Sequence, residues 1–122
     1  MSTRINAKAP RKPVGARKSK TETQLCMECL LDELVSKKGK KWYPEFQFSP
    51  ARRWRFDYAA PHMVAVEIEG AIWSGGRHTR GAGYQRDLDK YNAAAQMGWR
   101  VFRFSTQDVL RGKAAEMLRR VL

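Results

Sequence analysis

Acidic residues are scarce in this chain: twelve Asp and Glu stand against twenty-four Lys and Arg, a formal charge of +12. Such a surface repels other cationic surfaces and draws polyanions over long range. Cysteine is scarcer still. Cys26 and Cys29 form a lone C-x-x-C, and the two histidines, His62 and His78, are not spaced as a second half-site. That excludes a four-ligand zinc module and a disulfide framework. The pair lies in the apolar helical run Leu25–Leu31, where buried structural thiols are expected. There is no apolar run of membrane-spanning length, no signal-peptide pattern, no internal repeat and no P-loop pattern. A soluble, cytoplasmic protein is expected, without a membrane partner. The 122 residues suffice for one domain.

The charge is unevenly placed. Residues 1–20 hold Arg4, Lys8, Arg11, Lys12, Arg17, Lys18 and Lys20 with no acid, leaving +5 on the rest. With Pro10, Pro13 and Gly15 and almost nothing large and apolar, this segment reads as a flexible basic arm. Residues 21–122 read as a single domain.

Thr21 can cap a helix from about Glu22 to Lys37, stopped by Gly39. On its wheel Glu22 falls beside Leu25, Cys26, Cys29 and Leu30, so Glu22 is expected to face the body, with Glu28 as the second choice. Strands follow at Trp42–Phe48, at Arg53–Tyr58 with Trp54, Phe56 and Tyr58 alternating, and at Met63–Glu69. A glycine-rich basic loop spans Ser74–Gly83, then a helix Tyr84–Met97 stopped by Gly98, a strand Arg100–Phe104, and a last helix to the C-terminus. The order αβββαβ plus a C-terminal helix implies a mixed α/β fold. The first three strands form an antiparallel meander, and the fourth returns in parallel across a helix.

Asp57 and Glu67-Ile68-Glu69 put carboxylates where two strands should carry hydrophobes. A buried acid is costly unless a cation meets it. Glu67 and Glu69 share a strand face. A three-residue loop at Pro61-His62-Met63 would pair Ala60 with Val64, set Asp57 opposite Glu67, and bring both to one face. Two carboxylates and the Ile68 carbonyl suit Mg²⁺, which prefers oxygen, keeps several waters and can activate one of them against a phosphodiester. The same spacing also fits a plain sheet-face ion pair, with Arg55 opposite Glu69 and Arg53 nearby.

Asp57, Glu67-Ile68-Glu69 and the element order around them resemble the PD-(D/E)XK, or restriction-endonuclease-like, nuclease superfamily. The stretch from Trp54-Arg55-Phe56-Asp57 through Glu67-Ile68-Glu69-Gly70 and Lys90-Tyr91-Asn92 to Gly98-Trp99-Arg100-Val101 is similar to small bacterial and phage endonucleases. The resemblance implies a restriction-endonuclease-like core and a Mg²⁺-dependent DNA endonuclease, with Mn²⁺ able to substitute. It also implies selectivity for junctions or flaps and a bacterial or phage-infected cell. It makes Asp57 the motif aspartate, Glu67 the first acid of the D/E-x-K element, and Glu22 the acid of the first helix. Glu69 occupies the usual lysine position. A carboxylate cannot donate as an ammonium does, and Lys90 on the following helix becomes the substitute. His78 is placed as a proton-transfer residue, since imidazole titrates near neutrality.

DNA would be held by Arg77, His78 and Arg80 of the loop, by Arg52 and Arg53 before the second strand, and by Arg86 beside Lys90. All are phosphate contacts without sequence readout. A double cut requires a homodimer or two separate events. Two other readings of the residues stand beside the nuclease. One is a nuclease fold that binds nucleic acid with weak or no catalysis, and the other is a basic assembly protein with structural acids.

Overall fold

The computed structural model describes residues 19–70 and 81–122. The expected arm, apart from Ser19 and Lys20, lies outside the described residues, as do Trp73, Arg77, His78 and Arg80.

Helix α1 spans Glu22–Leu34. Thr21 caps it through a capping box: its hydroxyl accepts from the Gln24 N–H, and the Gln24 side chain accepts from the Thr21 N–H. Strands β1 (Tyr43–Gln47), β2 (Arg55–Ala60) and β3 (Val64–Glu69) follow. Then come α2 (Ala82–Gln96), β4 (Arg100–Ser105), α3 (Thr106–Leu110) and α4 (Lys113–Arg119). The sheet order is β1-β2-β3-β4, antiparallel across β1–β2–β3 and parallel between β3 and β4. This is the expected mixed α/β architecture. Gly98 ends α2 at φ 90°, a conformation that favours a residue without Cβ.

The sheet separates two cores. On one side Met27, Leu31, Leu34 and Val35 meet Tyr58, Ala60, Val64, Val66, Phe104 and Leu118. On the other Phe46, Phe48, Phe56, Ala59 and Ala65 meet Ala94 of α2. Phe56 stacks on Phe48 at 4.1 Å between centroids and meets Trp99 edge-on at 5.1 Å.

Strict alternation in β2 fails, because Phe56 and Tyr58 enter opposite cores. Phe56 and Ala59 share a side, as do Tyr43 and Phe46 on β1. The register pairs Pro44 with Tyr58 and Phe46 with Phe56, so Glu45 falls opposite Asp57. Glu45 has φ 48°, left-handed for a residue in a strand. Both strands therefore change faces at this one pair.

Three further expectations are corrected. The last helix is two, broken at Gly112 with φ 90°. In consequence Val109, Ala114 and Leu118 are buried while Leu110 and Met117 stay exposed. The buried face of α1 is Thr23, Met27, Leu30, Leu31 and Leu34. That face leaves Cys26 and Cys29 exposed as free thiols rather than buried structural ones. Both should react with a thiol-specific chromogenic reagent in the native protein nearly as fast as in denaturant. Cys26→Ser and Cys29→Ser should each change the unfolding free energy by less than about 0.5 kcal/mol in urea titration.

Candidate active site

The β2–β3 hairpin turns on Pro61-His62-Met63, with His62 and Met63 in left-handed conformation at φ 65° and 58°. Ala60 pairs with Val64 and Tyr58 with Val66, which is the expected register. Beyond Tyr58–Val66 side chains take over from the ladder. The Asp57 N–H donates to Glu67 Oε2 at 3.0 Å, and the Ile68 N–H donates to Asp57 Oδ2 at 2.7 Å. Each acid thus satisfies an amide of the opposite strand. The N–H and C=O of one strand residue point toward the same neighbour, so the Ile68 carbonyl also faces this opening.

The two carboxylates approach from different sides, which corrects the expectation of one shared face. The cause is the change of faces at Asp57. Asp57 lines a cleft of about 600 Å³ on the α1 side, with Glu28, Glu45, Tyr58, Ile68 and Thr106. Glu67 faces α2 and is only 5% exposed. Its Oε1 accepts from the Lys90 ammonium and, at 2.9 Å, from the Tyr91 hydroxyl. The Lys90 ammonium also lies 6.0 Å from the Phe56 ring centroid. Helical spacing explains the pair, since Lys90 and Tyr91 are adjacent on the flank of α2 that Ala94 turns toward the sheet.

Glu69 does not meet Arg55. Arg103 Nε donates to Glu69 Oε1 at 2.6 Å, and the same guanidinium lies 4.3 Å from the Tyr91 ring centroid. Glu67 and Arg103 are register partners across the parallel pair. The network therefore runs Lys90, Glu67, Tyr91, Arg103, Glu69 across three elements. Burial, followed by the neighbouring Glu67 charge, holds Tyr91 well above the ordinary phenol range, so it remains a donor.

Glu22 is exposed at the start of α1 and does not line the cleft. Its place there is taken by Glu28, which accepts from the Tyr58 hydroxyl at 2.9 Å and pairs with Lys20 at 2.5 Å. Arg52 and Arg53 are exposed before β2, and Arg52 lies over the Trp54 ring at 5.1 Å. Arg86 is exposed on α2. Tyr58, Tyr91, Arg103 and Glu45 received no role from the sequence. Arg103 was reachable by laying β4 parallel to β3, and Tyr91 by its adjacency to Lys90. Glu45 had no signal, because a seven-residue connection between β1 and β2 fixes no register.

Burial pushes the Asp57 carboxyl up to about 6, and the Glu67 and Glu45 charges add to it against the opposing hydrogen bond from the Ile68 amide. A carboxyl raised first by burial and then by its carboxylate neighbours would be favoured in its ionised form by a nearby cation. Among the described residues no three His, Cys, Asp or Glu side chains form a metal nest. Asp57 and Glu67 reach the β2–β3 opening from its two sides, each holding an amide of the opposite strand, and offer oxygen donors of the type a hard, partly hydrated divalent ion prefers.

No family model matches the chain, and no curated protein matches it. Among solved structures, the catalytic domain of the homing endonuclease I-Bth0305I is similar to it. That likeness has a TM-score of 0.58 and 15% identity, over 83% of this chain and 93% of that one. It establishes a shared fold. Among the described residues no helix is long and apolar enough to cross a membrane.

The raised Asp57 carboxyl has a consequence for stability. Below its unfolded value of 3.8 the group is protonated in both states and costs nothing. As pH rises toward about 6 the unfolded chain ionises first, so the folded state loses stability, and above that the cost is complete. Asp57→Asn keeps an acceptor for the Ile68 amide and removes the charge. Discounted for a carboxyl only partly shielded from water, the gain at pH 8 should be about 1 kcal/mol, or roughly 4–8 °C in Tm. It should vanish near pH 4. Equal gains at both pH values in calorimetric melts would contradict the electrostatic origin.

Proposed function

We propose that the chain is a divalent-metal-dependent DNA endonuclease of the restriction-endonuclease-like kind, in which residues 21–122 form the nuclease domain and residues 1–20 a basic arm. The observation that carries this reading is the crossed pair Asp57–Glu67 in the β2–β3 opening, with the Lys90 ammonium on Glu67. The likeness of fold to a homing endonuclease catalytic domain supports it, as does the charge of +12.

Asp57, Glu67 and the Ile68 carbonyl would hold Mg²⁺ or Mn²⁺. When bound, such an ion lowers the pKa of a water and neutralises phosphate charge. Lys90 supplies the positive charge that the strand lacks at Glu69, directed at the anion that builds up on the phosphate. Tyr91 fixes Glu67, and Arg103 fixes Glu69. Glu28 replaces Glu22 as the acid of the first helix, facing the cleft from beside Tyr58. His78 moves a proton, and Arg52, Arg53, Arg77, Arg80 and Arg86 hold phosphates, with affinity that falls steeply with salt. The substrates of this reading are DNA structures such as junctions or flaps, held through phosphates without base readout. One site cuts one strand.

The test is cleavage of plasmid, linear, single-stranded, flap and four-way substrates with Mg²⁺ or Mn²⁺. Nicking is expected, abolished by Asp57→Asn and lowered about 10²-fold or more by Lys90→Met, the loss typical of removing one transition-state donor. Binding without cutting under either metal would instead assign the chain as a nuclease-fold binder. The second reading gains its interest from the Glu67 carboxylate being already engaged by Lys90 and Tyr91.

A further inference from the structure

A carboxylate oxygen offers two lone-pair directions. At Glu67 Oε1 both are used, one by Lys90 and one by Tyr91, while Oε2 already accepts from the Asp57 amide. The group is almost wholly enclosed, with side-chain exposure of 7% for Glu67 and 17% for Lys90. Water therefore does little to screen two cations brought to the same carboxylate. At Oε1 a divalent ion can enter only in place of the Lys90 or Tyr91 donor, and at Oε2 it would stand beside the ammonium with little water to screen the two cations.

Resting on the reading of Asp57 and Glu67 as cation ligands, we propose that the Lys90 ammonium and a divalent cation are alternative occupants of Glu67. Lys90 serves as the resident counter-ion of the unloaded protein. Loading the cation drives it off the carboxylate and frees it for a phosphate. Glu67 then has a cationic partner in both states. Before loading, Glu67 is neutralised from within the chain. After loading, the released ammonium becomes a second positive group facing the polyanion. Tyr91 is neutral and held as a donor, so it can remain on Glu67 through the exchange. Lys90 has a flexible four-carbon stem, and beside Glu67 its ammonium already lies 6.0 and 5.2 Å from the Phe56 and Tyr91 ring centroids, an aromatic surround that tolerates a cation. The exchange needs only rotamer changes of one side chain, and it leaves the sheet register intact.

The consequence is a sign that a purely structural lysine would not give: removing Lys90 should improve metal binding while it impairs cutting. Mn²⁺ is titrated calorimetrically into the full chain without DNA. Lys90→Met should bind Mn²⁺ about ten-fold more tightly than the wild type, within the usual span of coupling between two ligands. Lys90→Arg, which keeps a cation at the position, should stay near the wild-type affinity. Asp57→Asn should lose the binding. In parallel, the unaltered chain is treated with an amine-acylating reagent and mapped by peptide mass spectrometry, where Mn²⁺ should raise modification at Lys90. That measurement carries the test should Lys90→Met fail to fold.

Equal or weaker Mn²⁺ affinity in folded Lys90→Met, or unchanged acylation of Lys90 on saturation with Mn²⁺, would overturn the exchange. The ligand assignment would survive either result so long as Asp57→Asn abolishes binding. Absence of Mn²⁺ uptake by every variant, or uptake indifferent to Asp57→Asn, would remove the ligand assignment itself, and the exchange with it.

Discussion

The exchange of carboxylates and amides between Asp57 and Glu67 is the contact on which the rest of this structure depends. Two strands that stop pairing inside a protein leave amides without partners, and each such amide costs free energy comparable to a lost hydrogen bond. Here the Asp57 amide is met by Glu67 and the Ile68 amide by Asp57. The opening between β2 and β3 is therefore sustained by an acceptor oxygen at each of these two positions. Among the described residues no buried side-chain nitrogen or oxygen is left without a partner. At this opening both strand amides, those of Asp57 and Ile68, have a carboxylate acceptor.

That solution concentrates negative charge, and the surrounding elements answer it unequally. Glu67 receives an ammonium and a phenol, Glu69 a guanidinium, and Glu28 a phenol and Lys20. Asp57 receives an amide but lies near Glu67 and Glu45, and its carboxyl rises to about 6. The imbalance falls on the residue whose side chain opens into the cleft. A fold selected for stability alone would have little reason to keep it. Under the proposed function the imbalance has a use, since a cation would be drawn to it.

Much of this was legible in the sequence, and the parts that were not share a cause. The three-residue turn at Pro61-His62-Met63 fixed the hairpin register, because loop length sets register and a slip of one residue would reverse every side chain. Thr21 with Gln24, and Gly98, marked helix ends through capping chemistry that is local in the chain. The change of faces at Glu45 and Asp57 was illegible, since it depends on the β1–β2 pairing and on a glutamate held at φ 48°, which no propensity favours. The face of α1 was misread because its apolar residues encircle the wheel. Burial of Thr23 and Met27 swings Glu28 toward β2 and leaves Glu22 and both cysteines outside. Arg103 became visible only with the parallel register of β3 and β4. Local signals carried the elements; the site came from contacts between residues far apart in the chain.

The acid at position 69 follows from the same geometry. In the parallel register Glu67 lies beside Arg103, and Arg103 reaches one pleat along to Glu69. Lys90 occupies the neighbouring space from α2. A lysine at position 69 would add a third cation next to a guanidinium and an ammonium, with one buried carboxylate among them, and like charges brought that close repel. A carboxylate there instead anchors Arg103, and Arg103 in turn lies over Tyr91, the residue that holds Glu67. With one cation supplied by the helix and another by β4, the strand position is best filled by the opposite sign. The acid at Glu69 and the ammonium of Lys90 are two sides of one electrostatic arrangement around Glu67 and Arg103.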